Sequence, residues 1–305
     1  MWPTRVMRQS TNAALLIAIS AFLWGTSFPV IKVSLGGAQD QVDFSFVISF
    51  LRLSLAAILG IIILASIGKL DKRLFKEPLV WLLGAFNAIS FALQHLGLVY
   101  TTASKTALLV NFNVVFVAIL AFLFFHERLN SRRVLGVTLG FGGVVIVATR
   151  IDPNFFLHGE LVGDMLVLLA GFFWSLFILY TKKAIDKGTD YLNLSVVVLT
   201  TTAIFLALPL PFINYSQPVG IEGWSGIVYL GAVSTLVPFI LWSRALKVLS
   251  ATVSSVLLLL EVLFAVLLSI FFLGEIFLPV YILGGILILA GGVLSMSTED
   301  ATPSP

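Results

Sequence analysis

Cysteine is absent from this chain, and charge is scarce. Without cysteine there is neither a disulfide framework nor a thiolate metal site. Charged residues fill 11% of the 305 positions, about half the share of an ordinary soluble domain. No hydrophilic stretch is long enough to form a separate soluble domain. Histidine occurs only at His95, His126 and His158, and HExxH and GxSxG are missing, which argues against an intramembrane enzyme. A GxxxxGK loop followed by Ser or Thr is also missing, so ATP is not a direct fuel. The formal net charge of +3 does not read as nucleic-acid binding, because the basic residues sit beside apolar runs.

What the chain has is hydrocarbon: 59% of its residues are hydrophobic. They come in runs of about twenty, the length that crosses a bilayer as a helix. The fold class expected is all-α, a polytopic membrane protein with ten transmembrane helices. The spans are read at 11–35, 43–67, 78–99, 104–125, 131–149, 160–182, 191–212, 221–245, 250–273 and 277–297. The ten-residue alternation of membrane strands is missing, which argues against a barrel. Arg5 and Arg8 before the first run imitate a signal peptide, but no small-residue cleavage pattern follows, and a retained first span is expected.

The loops give an orientation. With the N-terminus inside, fourteen of the 18 basic residues fall inside: Arg5, Arg8, Lys69, Lys72, Arg73, Lys76, Arg128, Arg132, Arg133, Lys182, Lys183, Lys187, Arg244 and Lys247. Arg150 lies outside, with Lys32 and Lys105 near outer span ends, beside Asp40, Asp43, Asp152, Glu160, Glu222 and Glu275. Both termini are expected in the cytoplasm, and the chain in the cytoplasmic (inner) membrane.

The sequence also repeats itself. Residues 103–127 align without gaps to residues 251–275, matching Ala103 to Ala251, Phe116 to Phe264, Phe124 to Phe272 and Glu127 to Glu275. At the same offset Gly136 meets Gly284 and Gly143 meets Gly291. Trp24 and Lys32 are spaced like Trp174 and Lys182. Two five-span units are expected, 1–150 and 151–305. Five is odd, so the second enters the membrane from the opposite side, as in transporters built from inverted repeats.

At this point the sequence resembles the drug/metabolite transporter superfamily, in its ten-span EamA branch. The resemblance covers nearly the whole chain. It is carried by LWGTSFPVIK (23–32), LVYTTASKTALL (98–109), FFHERLNSRRVLGVTLGFGGVVI (124–146) and ALKVLSATVSSVLLLLEVLFAVLLSIFFLGE (245–275). One departure is visible: the proline that the family often places in spans 4 and 9 is replaced by Val114 and Val262, so straighter helices are expected there. The resemblance implies a transporter of small organic metabolites, often an amino-acid exporter.

The polar residues inside the spans are the candidate site. Glu261 lies near the centre of span 9, where a charge costs about 2.5–3.5 kcal/mol on insertion scales, so it should face the bundle interior. It reads as a partner for a substrate amine or as a proton-coupling site, and equally as a structural acid bonded to a neighbouring span. Its mate in the repeat is Asn113. Span 3 carries Asn87, Ser90 and Gln94 on one face, with His95 at the edge. Substrate hydrogen bonding and helix–helix contact both fit such a stripe, and the cavity is favoured for Gln94 and His95. Trp24 and Trp174 sit at mid-span, not at the interfaces, and read as two walls of one cavity or as plain packing. Trp242 and Tyr100 are weaker candidates. Arg52 in span 2 either neutralises a carboxylate in the pathway or snorkels to the outer surface, and the second is expected. Pro29, Pro209, Pro211 and Pro238 lie within spans, and Pro29 and Pro238 are candidate hinges. The glycines of spans 5 and 10, Gly136 and Gly140 among them, are expected to pack inside one chain.

The expectation is a secondary transporter that exports amino acids, neutral or aromatic, by alternating access. Efflux of cationic drugs is the alternative, and a passive channel the competitor from another class. The substrate-binding set is Trp24, Asn87, Gln94, His95, Asn113, Trp174 and Glu261. No metal, cofactor or nucleic acid is expected. The partners are the lipid bilayer and a small-molecule substrate, with a monomer favoured over a dimer.

Overall fold

The structure is a computed structural model that describes residues 2–27, 30, 31, 34, 41–100, 106, 109–125, 130–149, 151–154, 161–213, 221–273 and 278–296. Pro29, Lys32, Asp40, Lys105, Glu127, Arg128, Arg150, Glu160 and Glu275 lie outside them. The described elements are all helical, and apart from short 3₁₀ turns they fall into ten spans. These are α1 (Trp2–Gly25), α2 (Gln41–Ser66), α3 (Pro78–Tyr100), α4 (Asn113–Phe125), α5 (Ser131–Thr149), α6 (Leu161–Asp186) and α7 (Tyr191–Ala207). Span 8 is α8a (Ile221–Gly231) and α8b (Val237–Ala245), span 9 is α9a (Ala251–Leu258) and α9b (Leu260–Leu273), and α10 is Val280–Met296.

Five stretches are long and apolar enough to cross a bilayer by length and composition: 43–66, 78–97, 161–186, 191–212 and 223–245. Large apolar side chains line the outside of the bundle, among them Leu15, Phe22, Ile62, Phe124, Phe271 and Val293. In water such a surface would aggregate; in lipid it is the solvated face.

The main core joins α1, α2, α3, α4, α6, α7, α8 and α9a. A smaller cluster around Val114, Val144, Val256, Leu259 and Ile288 joins α4, α5, α9 and α10. The helix contacts come in matched pairs. α3 packs on α6 as α1 packs on α8b, α3 on α7 as α2 on α8a, and α4 on α6 as α1 on α9b. α2 with α7 and α5 with α10 close the set.

The α5–α10 contact shows what the glycines do. A Cβ on Gly136 would sit 2.9 Å from the Gly291 carbonyl oxygen. One on Gly143 would sit 2.6 Å from the Gly284 oxygen, and one on Gly291 would sit 2.6 Å from the Gly136 oxygen. Backbone meets backbone along this seam, and it does so within one chain.

Two expectations about helix shape fail. Spans 4 and 9 are not straight. Each is interrupted, at Asn111–Phe112 and at Leu259. The interruptions are closed by matching i→i−3 bonds, Val114 N to Asn111 O (3.2 Å) and Val262 N to Leu259 O (3.1 Å). Proline is not their cause, since the valines occupy its place. Val114 and Val262 are both buried in the smaller cluster, so tertiary packing holds the tight turns. Pro209 and Pro211 do not kink a helix interior; α7 ends at Ala207 and they lie in the short 3₁₀ turn that follows. Pro238 does mark an irregularity, a π-helical segment at Ala232–Leu236 between α8a and α8b.

Candidate functional site

The interrupted helices α4 and α9b begin beside a cavity that α1, α2, α3 and α6 complete. It holds about 630 Å³ of atom-free space, counting any part continuous with the outside. Six of the seven residues singled out in the sequence line it: Trp24, Gln94, His95, Asn113, Trp174 and Glu261.

Glu261 stands in the first turn of α9b, just past the break at Leu259. Backbone N–H groups without intrahelical partners favour an acidic side chain there. Among the described residues its carboxylate has no hydrogen-bond or ion-pair partner. The structural reading, an acid tied to a neighbouring span, therefore has no bond to support it. Asn113, the first residue of α4, and Gln94 on α3 likewise have no hydrogen-bond partner among the described residues.

His95 pairs through Nδ1 with Ser49 on α2. Ser49 donates its own hydrogen to the Ser45 carbonyl (2.7 Å), so His95 is the donor to Ser49. A neutral ring then keeps an acceptor at Nε2.

Trp24 and Trp174 both line the cavity. Their rings touch edge to face, 6.1 Å between centroids at 80°, and form one continuous floor. Phe177, Phe239 and Trp242 pack beneath. Trp242 is fully buried and donates to Ser254 Oγ at 3.0 Å, which makes it part of the support. Tyr100 is largely exposed at the end of α3, where it packs on Gly163, and does not line the cavity.

Asn87 does not reach the cavity. It is fully buried, and its Nδ2 donates to Thr202 Oγ1 on α7 at 3.0 Å. Ser90 lines the cavity but donates to the Ala170 carbonyl on α6 at 2.9 Å. One polar stripe therefore serves two purposes, because a helix turns nearly 100° per residue and faces several neighbours.

Arg52 overturns the expectation of snorkelling. It is 3% exposed and lines the cavity. It lies eleven residues into α2, about 17 Å along the axis, too deep for its side chain to reach the surface. Nε and Nη2 both donate to Thr235 Oγ1, at 3.0 and 2.9 Å, and Nη2 also to the Ser234 carbonyl at 3.3 Å. In a regular helix that carbonyl would accept from residue 238, which is proline and has no N–H. The Phe91 ring lies 5.6 Å from the guanidinium carbon. The signal in the sequence was the depth of Arg52 together with Ser234, Thr235 and Pro238 in span 8.

The Asn87 and Arg52 bonds resemble each other. Each runs from one half of the chain to a threonine of the other, and each threonine donates back into its own helix, Thr202 to Val198 O and Thr235 to Leu230 O. Arg52 and Thr202 are 150 positions apart, like Trp24 and Trp174; Asn87 and Thr235 are 148 apart, like Asn113 and Glu261.

The ten-span bundle itself has known counterparts. The sequence model of the EamA-like transporter family matches residues 11–149 and again residues 161–297. The chain belongs to the EamA-like transporter family. Proteins of this family are polytopic membrane transporters and not enzymes, and so is this EamA-like chain. An uncharacterized transporter of Archaeoglobus fulgidus is 28% identical over 297 residues, covering 95% of this chain and 99% of that protein. A protein of Streptantibioticus cattleyicolor named "probable terminal-alkyne amino-acid exporter" is 24% identical over 286 residues, 93% of each chain. A solved crystal structure with 18% identity covers 93% of this chain and 96% of its own, with a TM-score of 0.76, and shares the fold.

Proposed function

We propose that this EamA-like transporter is a secondary carrier that exports amino acids, neutral or aromatic, across the cytoplasmic membrane by alternating access. The observation that carries the reading is the unpartnered Glu261 carboxylate beside the Trp24–Trp174 floor. A carboxylate takes the substrate ammonium, and the indole faces take an apolar or aromatic side chain. Asn113 and Gln94 supply the remaining hydrogen bonds, and His95 is oriented by Ser49. The name of the S. cattleyicolor relative agrees with this substrate class.

The two five-span units, 1–150 and 151–305, are inverted repeats that tilt about the cavity. The two separate family matches and the paired helix contacts support this. Both termini lie in the cytoplasm, on the side of Lys69, Lys72, Lys182 and Lys187. Efflux of cationic drugs fits less well, because the Arg52 guanidinium lines the same cavity and repels a substrate carrying only positive charge.

A panel of radiolabelled amino acids against reconstituted protein tests the reading. Saturable uptake with counterflow of at least one amino acid is expected. Flux that neither saturates nor shows counterflow would identify a channel instead.

A further inference from the structure

Arg52 and Glu261 are opposite charges from opposite halves of the chain, and both line the one cavity. Ion pairs buried in a membrane bundle normally close on each other, because an isolated charge there is costly. These two do not. Among the described residues no hydrogen bond or ion pair joins them, though they are near enough for their charges to interact. The reason is visible on the Arg52 side. Thr235 and Ser234 hold the Nε–Nη2 edge of the guanidinium toward span 8, and Phe91 lies against its face. Nη1 has no partner among the described residues and is not sealed from the cavity. A rigid donor and a free acceptor thus stand apart across one space.

We propose that the cavity is a zwitterion site in which Arg52 receives the substrate carboxylate through Nη1 and Glu261 receives its ammonium. This rests on the reading of the cavity as the amino-acid site and assigns its second pole. Charge balance favours such an occupant. The guanidinium and carboxylate cancel, and a zwitterion keeps the cavity neutral, whereas a cation or an anion leaves an uncompensated charge in a low-dielectric space. The Trp24–Trp174 floor then takes the side chain, which is where selectivity among amino acids arises. Thr235 is a positioning residue: it lies on the far side of the guanidinium and is not among the cavity residues.

The test is a ligand series on the wild-type protein in detergent, by calorimetry or thermal shift. Phenylalanine and leucine are compared with phenylalaninamide and leucinamide, which lack the carboxylate, and with 3-phenylpropionate, which lacks the amine. The zwitterions should bind at least tenfold more tightly than either truncated form, since each truncation leaves one buried charge unpaired. In Arg52→Gln the preference for phenylalanine over phenylalaninamide should vanish, and in Glu261→Gln the preference over 3-phenylpropionate should vanish. Thr235→Val should weaken the amino acid more than the amide, and Thr235→Ser, which keeps the accepting oxygen, should restore the difference. If wild-type protein binds the amides as tightly as the amino acids, the role of Arg52 is overturned and the amino-acid site stands. If neither the amino acids nor their truncated forms bind, the cavity reading and the zwitterion site fall together. The wild-type comparison decides even if an Arg52 variant fails to fold.

Discussion

Arg52 holds the carbonyl of Ser234 that Pro238, lacking an N–H, cannot bond in a regular helix register. The contact crosses from the first half of the chain to the second and fixes a charged side chain at the cavity. Replacing Pro238 with alanine restores a competing N–H. The expected outcome is a straighter span 8 and a looser Arg52, read as a raised KM for amino-acid uptake. An unchanged KM would separate the proline from the site.

In the proposed site Glu261 receives the substrate ammonium. Glu261→Gln should raise the KM for amino acids about tenfold or more, because a charge-assisted bond becomes a neutral one. Glu261→Asp should retain part of the affinity. Uptake by the Gln variant with and without an imposed pH gradient tests coupling separately. An unchanged pH response excludes Glu261 as the proton site.

Asn87 and Gln94 should separate cleanly. Asn87→Ala removes a bond between α3 and α7, a loss of about 0.6–1.7 kcal/mol for a membrane hydrogen bond. It should lower the melting temperature and leave KM unchanged. Gln94→Ala should raise KM with little effect on melting. The reverse pattern would contradict the placement of these two side chains.

The glycine seam offers a control within one helix. Gly143→Leu pushes side-chain atoms into the Gly284 backbone, and overpacking of this kind costs about 1–3 kcal/mol or more. A Cβ on Gly142 would meet nothing within 4 Å, so Gly142→Leu is the control. Thermal melting should fall for the first and stay level for the second.

Topology is open to direct labelling, because the chain has no cysteine of its own. A single cysteine at Asp152 should react with an impermeant maleimide on intact cells. One at Lys72 should react only after permeabilisation. Labelling at Lys72 from outside would invert the proposed orientation.

Much of this was legible in the sequence. The offset of 148 that pairs Asn113 with Glu261 also pairs Gly136 with Gly284, and both pairs occupy matching places in the structure. Glycine and mid-span acids are readable because each has few reasons to be where it is. Arg52 reads as a snorkelling residue until its depth in α2 is counted. Asn87 and Gln94 share one stripe and read alike, although α7 covers the first and the cavity the second. The interruptions before Asn113 and Glu261 left no local signal. Valine replaces proline there, and burial in the cluster around Val114 and Val262 holds the turn.

The most direct test of the whole is counterflow of a labelled aromatic amino acid into proteoliposomes preloaded with the unlabelled compound. Wild-type protein should give a saturable overshoot, and Glu261→Gln should abolish or strongly reduce it at the same substrate concentration. No overshoot from wild-type protein across the amino-acid panel, or an equal overshoot from the Gln variant, would contradict the account.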